Sequence, residues 1–183
     1  MIEGEALVLP PEAAGAAKAF LRVERPDEDG LIASLTASAA ELCEAFTGQV
    51  LLARGFAETM AAGRAWQRLG RAPVKAITAV RSVGVDGAPQ PLATGAYAID
   101  IDSHGEGWVR LTAAGDARRI RVEYDAGMAE AWPALPAALR HGIVRLAAFL
   151  YTSRAPEGGR SGDSPPPAAV TALWRPYRRL RLR

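Results

Sequence analysis

Cysteine is almost absent from this chain: Cys43 is the only one in 183 residues. That excludes an intramolecular disulfide and any cysteine-rich zinc or iron–sulfur site. Histidine is nearly as scarce. His104 and His141 are the only two, so a histidine-rich metal centre is excluded as well. Aromatic residues make up only 7% of the chain, whereas 38 residues are alanine. A core built from such a set is thinly filled by side chains and relies on close helix contacts. Lysine is replaced by arginine, 2 against 20. With the surplus of Ala, Gly and Pro, this is the mark of a GC-rich coding sequence, so arginine abundance alone says little about nucleic acid. No long apolar run occurs. The best candidate, Ala134 to Tyr151, is broken by Arg140, His141 and Arg145 and is too polar to span a bilayer. Glu3 and Glu5 precede the first basic residue, Lys18, which is the wrong polarity for an export signal. The expectation is a protein without a membrane association, made in a reducing cytoplasm.

What is present has the size and composition of one domain with an appendage. The net charge of +2 conceals an uneven distribution. Residues 1–45 carry a net charge of −6 and the remainder +8. The last nine residues, Arg175 to Arg183, hold five arginines and no acid.

Apolar spacing predicts four helices. The first covers about residues 12–23, with Ala13, Ala16, Ala17, Phe20 and Leu21 at helical intervals behind Pro10 and Pro11. The second covers about residues 27–47, with Leu31, Ile32, Leu35, Ala39, Leu42, Cys43 and Phe46 on one stripe. Asp27 or Asp29 suits its N-terminus, and Gly48 is placed to end it in a left-handed conformation. Cys43 reads as a small core residue, since no partner base accompanies it. The third helix covers about residues 136–154, with Leu135, Leu139, Ile143, Leu146 and Leu150 on a stripe, Phe149 beside it, and His141 at its polar edge. A loop at residues 155–167 separates it from a last helix near residues 168–177, in which Val170 and Trp174 share a face.

Between the second and third helices the period changes to two, over about residues 50–125. Val50 to Phe56 and Val74 to Val83 read as strands, and Asp86-Gly87 as a hairpin turn. Tyr97, Ile99 and Ile101 alternate with polar residues, as do Val109 and Leu111, and Ile120, Val122 and Tyr124. Turns at Ser103–Gly107 and Gly115-Asp116 separate them. The expectation is an antiparallel meander with Ile99, Ile120 and Val122 inward and Arg119 and Arg121 outward. Residues 57–73 are ambiguous, with a short strand near Trp66–Leu69 or a partly helical excursion as the alternatives. The fold class implied is α+β: a small helical bundle with an inserted antiparallel β-meander and a C-terminal helix followed by an extended arm.

Catalytic signatures are missing. The sequence contains no Walker loop, G-x-G-x-x-G, H-E-x-x-H or G-x-S-x-G. Ser103-His104-Gly105-Glu106 holds catalytic residue types, but neighbours on one tight turn cannot line up as nucleophile, base and orienter, so a polar hairpin turn is the better reading. Asp100, Asp102 and Asp125 read as the solvated face and end of two strands rather than as cation ligands. Neither an enzyme nor a cofactor is expected. The sharpest local feature is the tail from Arg175 to Arg183, where Leu180 and Leu182 alternate with Arg179, Arg181 and Arg183. It is either a solvated basic end or an arm that pairs with carboxylates or phosphates. Its composition places everything after Tyr177 outside the fold of a free monomer.

The order of these parts resembles a known family. The segments that carry the resemblance are Ala16–Val23, Asp27–Ile32, Glu44–Gly48, Pro73–Val80, the Asp86-Gly87 turn, Gly95–Tyr97, Arg121–Gly127, Leu135–Arg140 and Phe149–Arg154. Nearly the whole chain is similar to the head–tail connector, or adaptor, proteins of tailed double-stranded-DNA phages and phage-like gene transfer agents. The departure lies between Met60 and Gly70, where the usual strand and proline-led turn are not found. The resemblance implies a structural, non-enzymatic protein of the particle neck, assembled in the bacterial cytoplasm. It implies a ring, usually of twelve copies, that is monomeric until templated and lets DNA pass without reading its sequence. Its implied partners are the portal protein, the tail stopper or terminator proteins, and further copies of itself. Carried over by position, portal contact falls on Trp174, Arg175, Tyr177, Arg178, Arg179, Leu180, Arg181, Leu182 and Arg183. The alternative of a different class is a nucleic-acid-binding accessory domain that uses the arginine tail. Such binding would weaken by about 0.9 in log slope per phosphate contacted as salt rises.

Overall fold

The computed structural model describes residues 1–84, 87–113, 118–153 and 167–179. The Gly115-Asp116 turn, the Asp86 half of the first hairpin turn, nearly all of the 155–167 loop, and Leu180 to Arg183 lie outside the described residues. The fold is α+β, and the chain divides into two compact units, each made of two separated stretches of sequence.

The helical unit comprises residues 7–51 and 129–183. It holds α1 (Pro11–Leu21), α2 (Asp29–Thr47), α3 (Ala137–Thr152) and α4 (Ala168–Trp174), with a 3-10 turn at Arg175–Tyr177. α2 packs on α3, α1 lies against both, and α4 lies on α3. The contacts are close because small residues line them: Ala13, Ala17, Ala39, Ala40 and Cys43 are fully buried among Ile32, Leu139, Ile143 and Leu146. The α2 stripe is rotated from the one expected. Thr36 and Thr47 are buried, while Leu42 is exposed. Both threonines can turn inward because their hydroxyls donate within the helix, Thr36 to the Ile32 carbonyl and Thr47 to that of Cys43, each at 2.7 Å. No aspartate caps α2. Pro26–Glu28 form a 3-10 turn ahead of it, and the Asp29 carboxylate pairs with Lys18 instead. Gly48 ends α2 at φ +68°, as expected. α1 stops at Leu21, two residues early, with Arg22 left-handed at its end. Val50 and Leu51 are buried but not a strand; the Leu51 amide donates to the Glu44 carboxylate at 2.8 Å.

The β unit comprises residues 1–6 and 52–128. Its strands are β1 (Ile2–Gly4), β2 (Arg54–Ala61), β3 (Gln67–Arg68), β4 (Val74–Val83), β5 (Pro89–Pro91), β6 (Tyr97–Ile101), β7 (Gly107–Leu111) and β8 (Arg119–Ala126). All the described pairings are antiparallel, but the order is not that of a simple meander. β1-β2-β8-β4-β5 form one sheet and β3-β7-β6 a second. β8 is the centre of the larger sheet. It pairs with β2 along its whole length on one side and with β4 on the other. Its alternation is as expected: Ile120, Val122 and Tyr124 are buried, Arg119 is exposed, and Arg121 pairs with Glu3 at 2.8 Å. Phe56 lies opposite Tyr124 and stacks on it, with ring centroids 5.8 Å apart.

The ambiguous stretch at residues 57–73 is thereby resolved. Residues up to Ala61 complete β2, Gln67–Arg68 form β3, and no helix intervenes. The Glu58 carboxylate fixes the return of the chain by accepting the Gly70 amide at 2.7 Å and the Tyr124 hydroxyl at 3.3 Å. Ile99 departs from expectation. It is 44% exposed rather than inward, because β6 is an edge strand and the buried face ends at β7.

Candidate functional site

The expected contact residues begin at Trp174, and their placement starts from one glycine. Gly142 sits in the middle of α3, where a Cβ would come within 2.1 Å of the Trp174 indole nitrogen. Absence of a side chain there creates a seat for the ring. The Trp174 N–H donates to the Leu139 carbonyl at 3.4 Å, and the ring lies 5.9 Å from that of Phe46 on α2. Trp174 is 2% exposed and Val170 is fully buried, so α4 belongs to the helical core. This corrects the role expected for Trp174. A side chain enclosed to this degree anchors the segment and offers no surface to a partner.

The chain that follows is also held further than its composition suggests. The Arg179 amide donates to the Thr47 carbonyl at 2.8 Å, and the Gln49 side-chain amide donates to the Tyr177 carbonyl. The Arg178 guanidinium stands 5.7 Å from the Phe46 ring centroid. Thr47 is the last residue of α2, and its carbonyl is one of those a helix leaves without an internal partner. The negative end of the helix dipole lies there, which favours the two arginines. Arg178 and Arg179 are therefore part of the fold, contrary to the expectation for everything after Tyr177. Arg175 and Arg178 are exposed, while Tyr177 and Arg179 are half-buried. Leu180, Arg181, Leu182 and Arg183 lie outside the described residues.

Sequence reasoning missed the dock: Phe46, Thr47, Gln49 and Gly142. One signal was available. A lone glycine inside a helical pattern costs about 1 kcal/mol against alanine and calls for a packing reason. The partners on α2 had no such signal, since Phe46 was read as one more core residue of the stripe.

The remaining candidates have structural parts. Asp102 organises the turn between β6 and β7: its carboxylate accepts the amides of His104 at 2.8 Å and Glu106 at 2.9 Å, and the Trp108 indole N–H at 3.4 Å. These bonds, chiefly that from Glu106, hold its carboxyl below the usual range. Ser103 and His104 ride on this turn, with Gly105 at φ +71°. His141 is exposed on α3 and meets the edge of Phe20. Burial pushes the Cys43 thiol up to about 12, with Glu44 adding to the effect, so it stays protonated at neutral pH. Among the described residues no group of three or more His, Cys, Asp or Glu is placed to hold a metal ion. No helix among them is long and apolar enough to cross a membrane.

No protein-family model matches the chain, and no curated protein does. Solved structures do. The chain is similar to a chain in the neck of an empty GTA particle computed with C6 symmetry, at 26% identity and a TM-score of 0.77. It is similar to a chain in the virion of a native gene transfer agent (GTA) particle, at 27% identity and a TM-score of 0.74. It is also similar to a chain in the neck of a native GTA particle computed with C12 symmetry, at 27% identity and a TM-score of 0.73. Each similarity covers 100% of this chain and 97% of the other.

Proposed function

We propose that this chain is a structural, non-enzymatic component of the neck of a tailed, phage-like particle: the head–tail connector that forms a ring between the portal and the tail stopper proteins. The observation that carries the reading is similarity end to end, at 26–27% identity, to chains of GTA particles, two of them in necks computed with C6 and C12 symmetry. Rotational symmetry is what a ring requires, and twelve copies is the number we favour. DNA passes through such a ring without its sequence being read. A heterologous, head-to-tail contact between copies generates such a ring when its rotation closes.

Portal contact is assigned to the C-terminal segment. Trp174 is its anchor, Arg178 and Arg179 fix its direction at the end of α2, and Arg175, Tyr177 and residues 180–183 meet the partner. Arginine forks there pair with portal carboxylates, and Leu180 and Leu182 fill small apolar recesses. The test is deletion of residues 180–183, which spares the bonds made by Arg178 and Arg179. The melting temperature is expected to stay unchanged, while heads lose the connector or fail to retain tails. Particles with a full complement of tails would remove the assignment.

A further inference from the structure

The β unit presents four sheet edges that are unequally protected. The outer edge of β5 carries Pro89 and Pro91, which have no N–H to offer a partner strand. β1 is three residues long, and Glu3 in its middle is held by Arg121. β3 is two residues long. β6 is five residues long, contains no proline, and among the described residues pairs only with β7. Sheets normally blunt such an edge with proline, lysine or a covering element. β6 does the reverse and leaves Ile99 44% and Ile101 38% exposed.

The register explains why those isoleucines are there. Ile99 lies opposite Val109, and Ile101 opposite Gly107. Opposed residues share a face of the sheet, and Val109 and Leu111 on that face are buried. The apolar face thus runs on to Ile99 and Ile101, which the unit leaves partly uncovered although β4 approaches β6, and among the described residues no strand is hydrogen-bonded to β6 on its outer side. Charge narrows what completes it. Residues 87–109 include Asp100, Asp102 and Glu106 and no lysine or arginine, so two β6 strands side by side would oppose like charges. The far edge of the same sheet is of the opposite kind. Residues 61–75 hold Arg64, Arg68, Arg71 and Lys75 and no acid. Trp66 at that edge is 44% exposed, with the Arg110 guanidinium 4.9 Å from its ring centroid.

We propose that β6 of one copy pairs with the β3 edge of a second copy, which extends the three-stranded sheet from copy to copy and sets Asp100 beside Arg68. The neighbouring chain covers Ile99 and Ile101. Arg68 already meets Glu106 of its own chain at 3.2 Å, but that pair is solvent-exposed and yields at little cost. Because the two edges differ, the contact is head to tail and repeats until it closes. Closure as a ring rests on the function proposed above; the edge contact stands on β6 and β3 themselves.

Oxidation of the full-length Arg68→Cys/Asp100→Cys variant tests it, both free at high protein concentration and in purified particles, where a chain that is monomeric until templated is assembled. Within one copy the two positions are separated by β7, two strand spacings or about 10 Å, which is beyond disulfide reach. Cys43 is buried and silent. A ladder of disulfide-linked multimers is expected from the double variant and from neither single variant. Dimers from Asp100→Cys alone would mean that β6 pairs with itself, and the absence of a ladder would mean that the edges do not meet; either overturns the proposal. A charge swap adds a second arm. Asp100→Arg and Arg68→Asp should each weaken self-association in sedimentation, and the two together should restore it, with unchanged melting temperatures. Failure to restore overturns the assigned pair. The ring reading is tested separately by whether the chain is found in particle necks. A chain found there without a ladder sinks only the edge contact, and a ladder without neck incorporation sinks only the ring.

Discussion

The helical unit and the β unit leave different things open to a partner. In the helical unit the backbone is satisfied within each helix, and what remains is side-chain surface plus a terminal segment pinned by Trp174 and by the Arg179 amide on Thr47. In the β unit β2 and β4 reach β8 far along the chain, whereas β4–β5 and β6–β7 are local hairpins, and among the described residues β6 pairs only with β7. Its open edge offers backbone as well as Ile99 and Ile101. The residues proposed for contact are thus packed into the fold in the helical unit and left partly uncovered in the β unit. Substitutions should separate the two cases.

The largest effect is expected within the β unit itself. Ile120 is fully buried on the central strand, and Ile120→Asp would bury an unpaired charge. Loss of the folded state or aggregation is expected, a cost above about 4 kcal/mol. Ile99→Asp, on the edge strand, should stay within about 0.5 kcal/mol. Equal losses in denaturant titrations would mean that β6 is not an uncovered edge.

Trp174→Ala comes next, at about 3–5 kcal/mol. Gly142→Ala should approach it, because its methyl group would occupy the place of the indole. The double variant should cost clearly less than the sum of the two singles, since both remove one contact. Additive losses in a double-mutant cycle would separate Gly142 from the dock.

An alkaline limb follows. Burial raises the Cys43 thiol from 9.0 to about 12 and the Tyr124 hydroxyl beyond its ordinary 10.0. Above pH 9 the unfolded chain releases these protons before the folded one does, so stability is level below that pH and falls as pH rises. The slope is at most about 1.4 kcal/mol per pH unit for each group. Cys43→Ala should flatten the part between pH 9 and 10, and an unchanged slope there would assign the limb elsewhere. A small effect is likewise expected from Arg121→Ser, which breaks an exposed pair with Glu3 and should cost no more than about 0.5 kcal/mol. A thermal melt that shows more would give that pair a larger part in holding β1.

The helices were legible because their hydrogen bonds and apolar spacing are local. The β8 alternation was legible for the related reason that both of its neighbours are present, so its period of two has a single buried face. The rotation of the α2 stripe was hidden because Thr36 and Thr47 count as polar until their hydroxyls find carbonyls one turn back. Ile99 was misread because alternation reports which face a residue shares, and coverage of that face depends on distant chain. The split into two sheets has the same origin. Nothing near β2 announces that its partners are β1 and β8. At the site, the basic tail was plain in the sequence, while the dock for Arg178 and Arg179 lay in Phe46, Thr47 and Gln49, more than a hundred residues earlier.

The most direct measurement is to place the chain in a particle. An affinity label at its N-terminus, imaged by electron microscopy on particles purified from the cell that encodes it, reports position and symmetry together. Label confined to the neck, in a closed ring of repeated copies between portal and tail, is the result the account predicts. Particles with complete necks and tails that carry no label would contradict it.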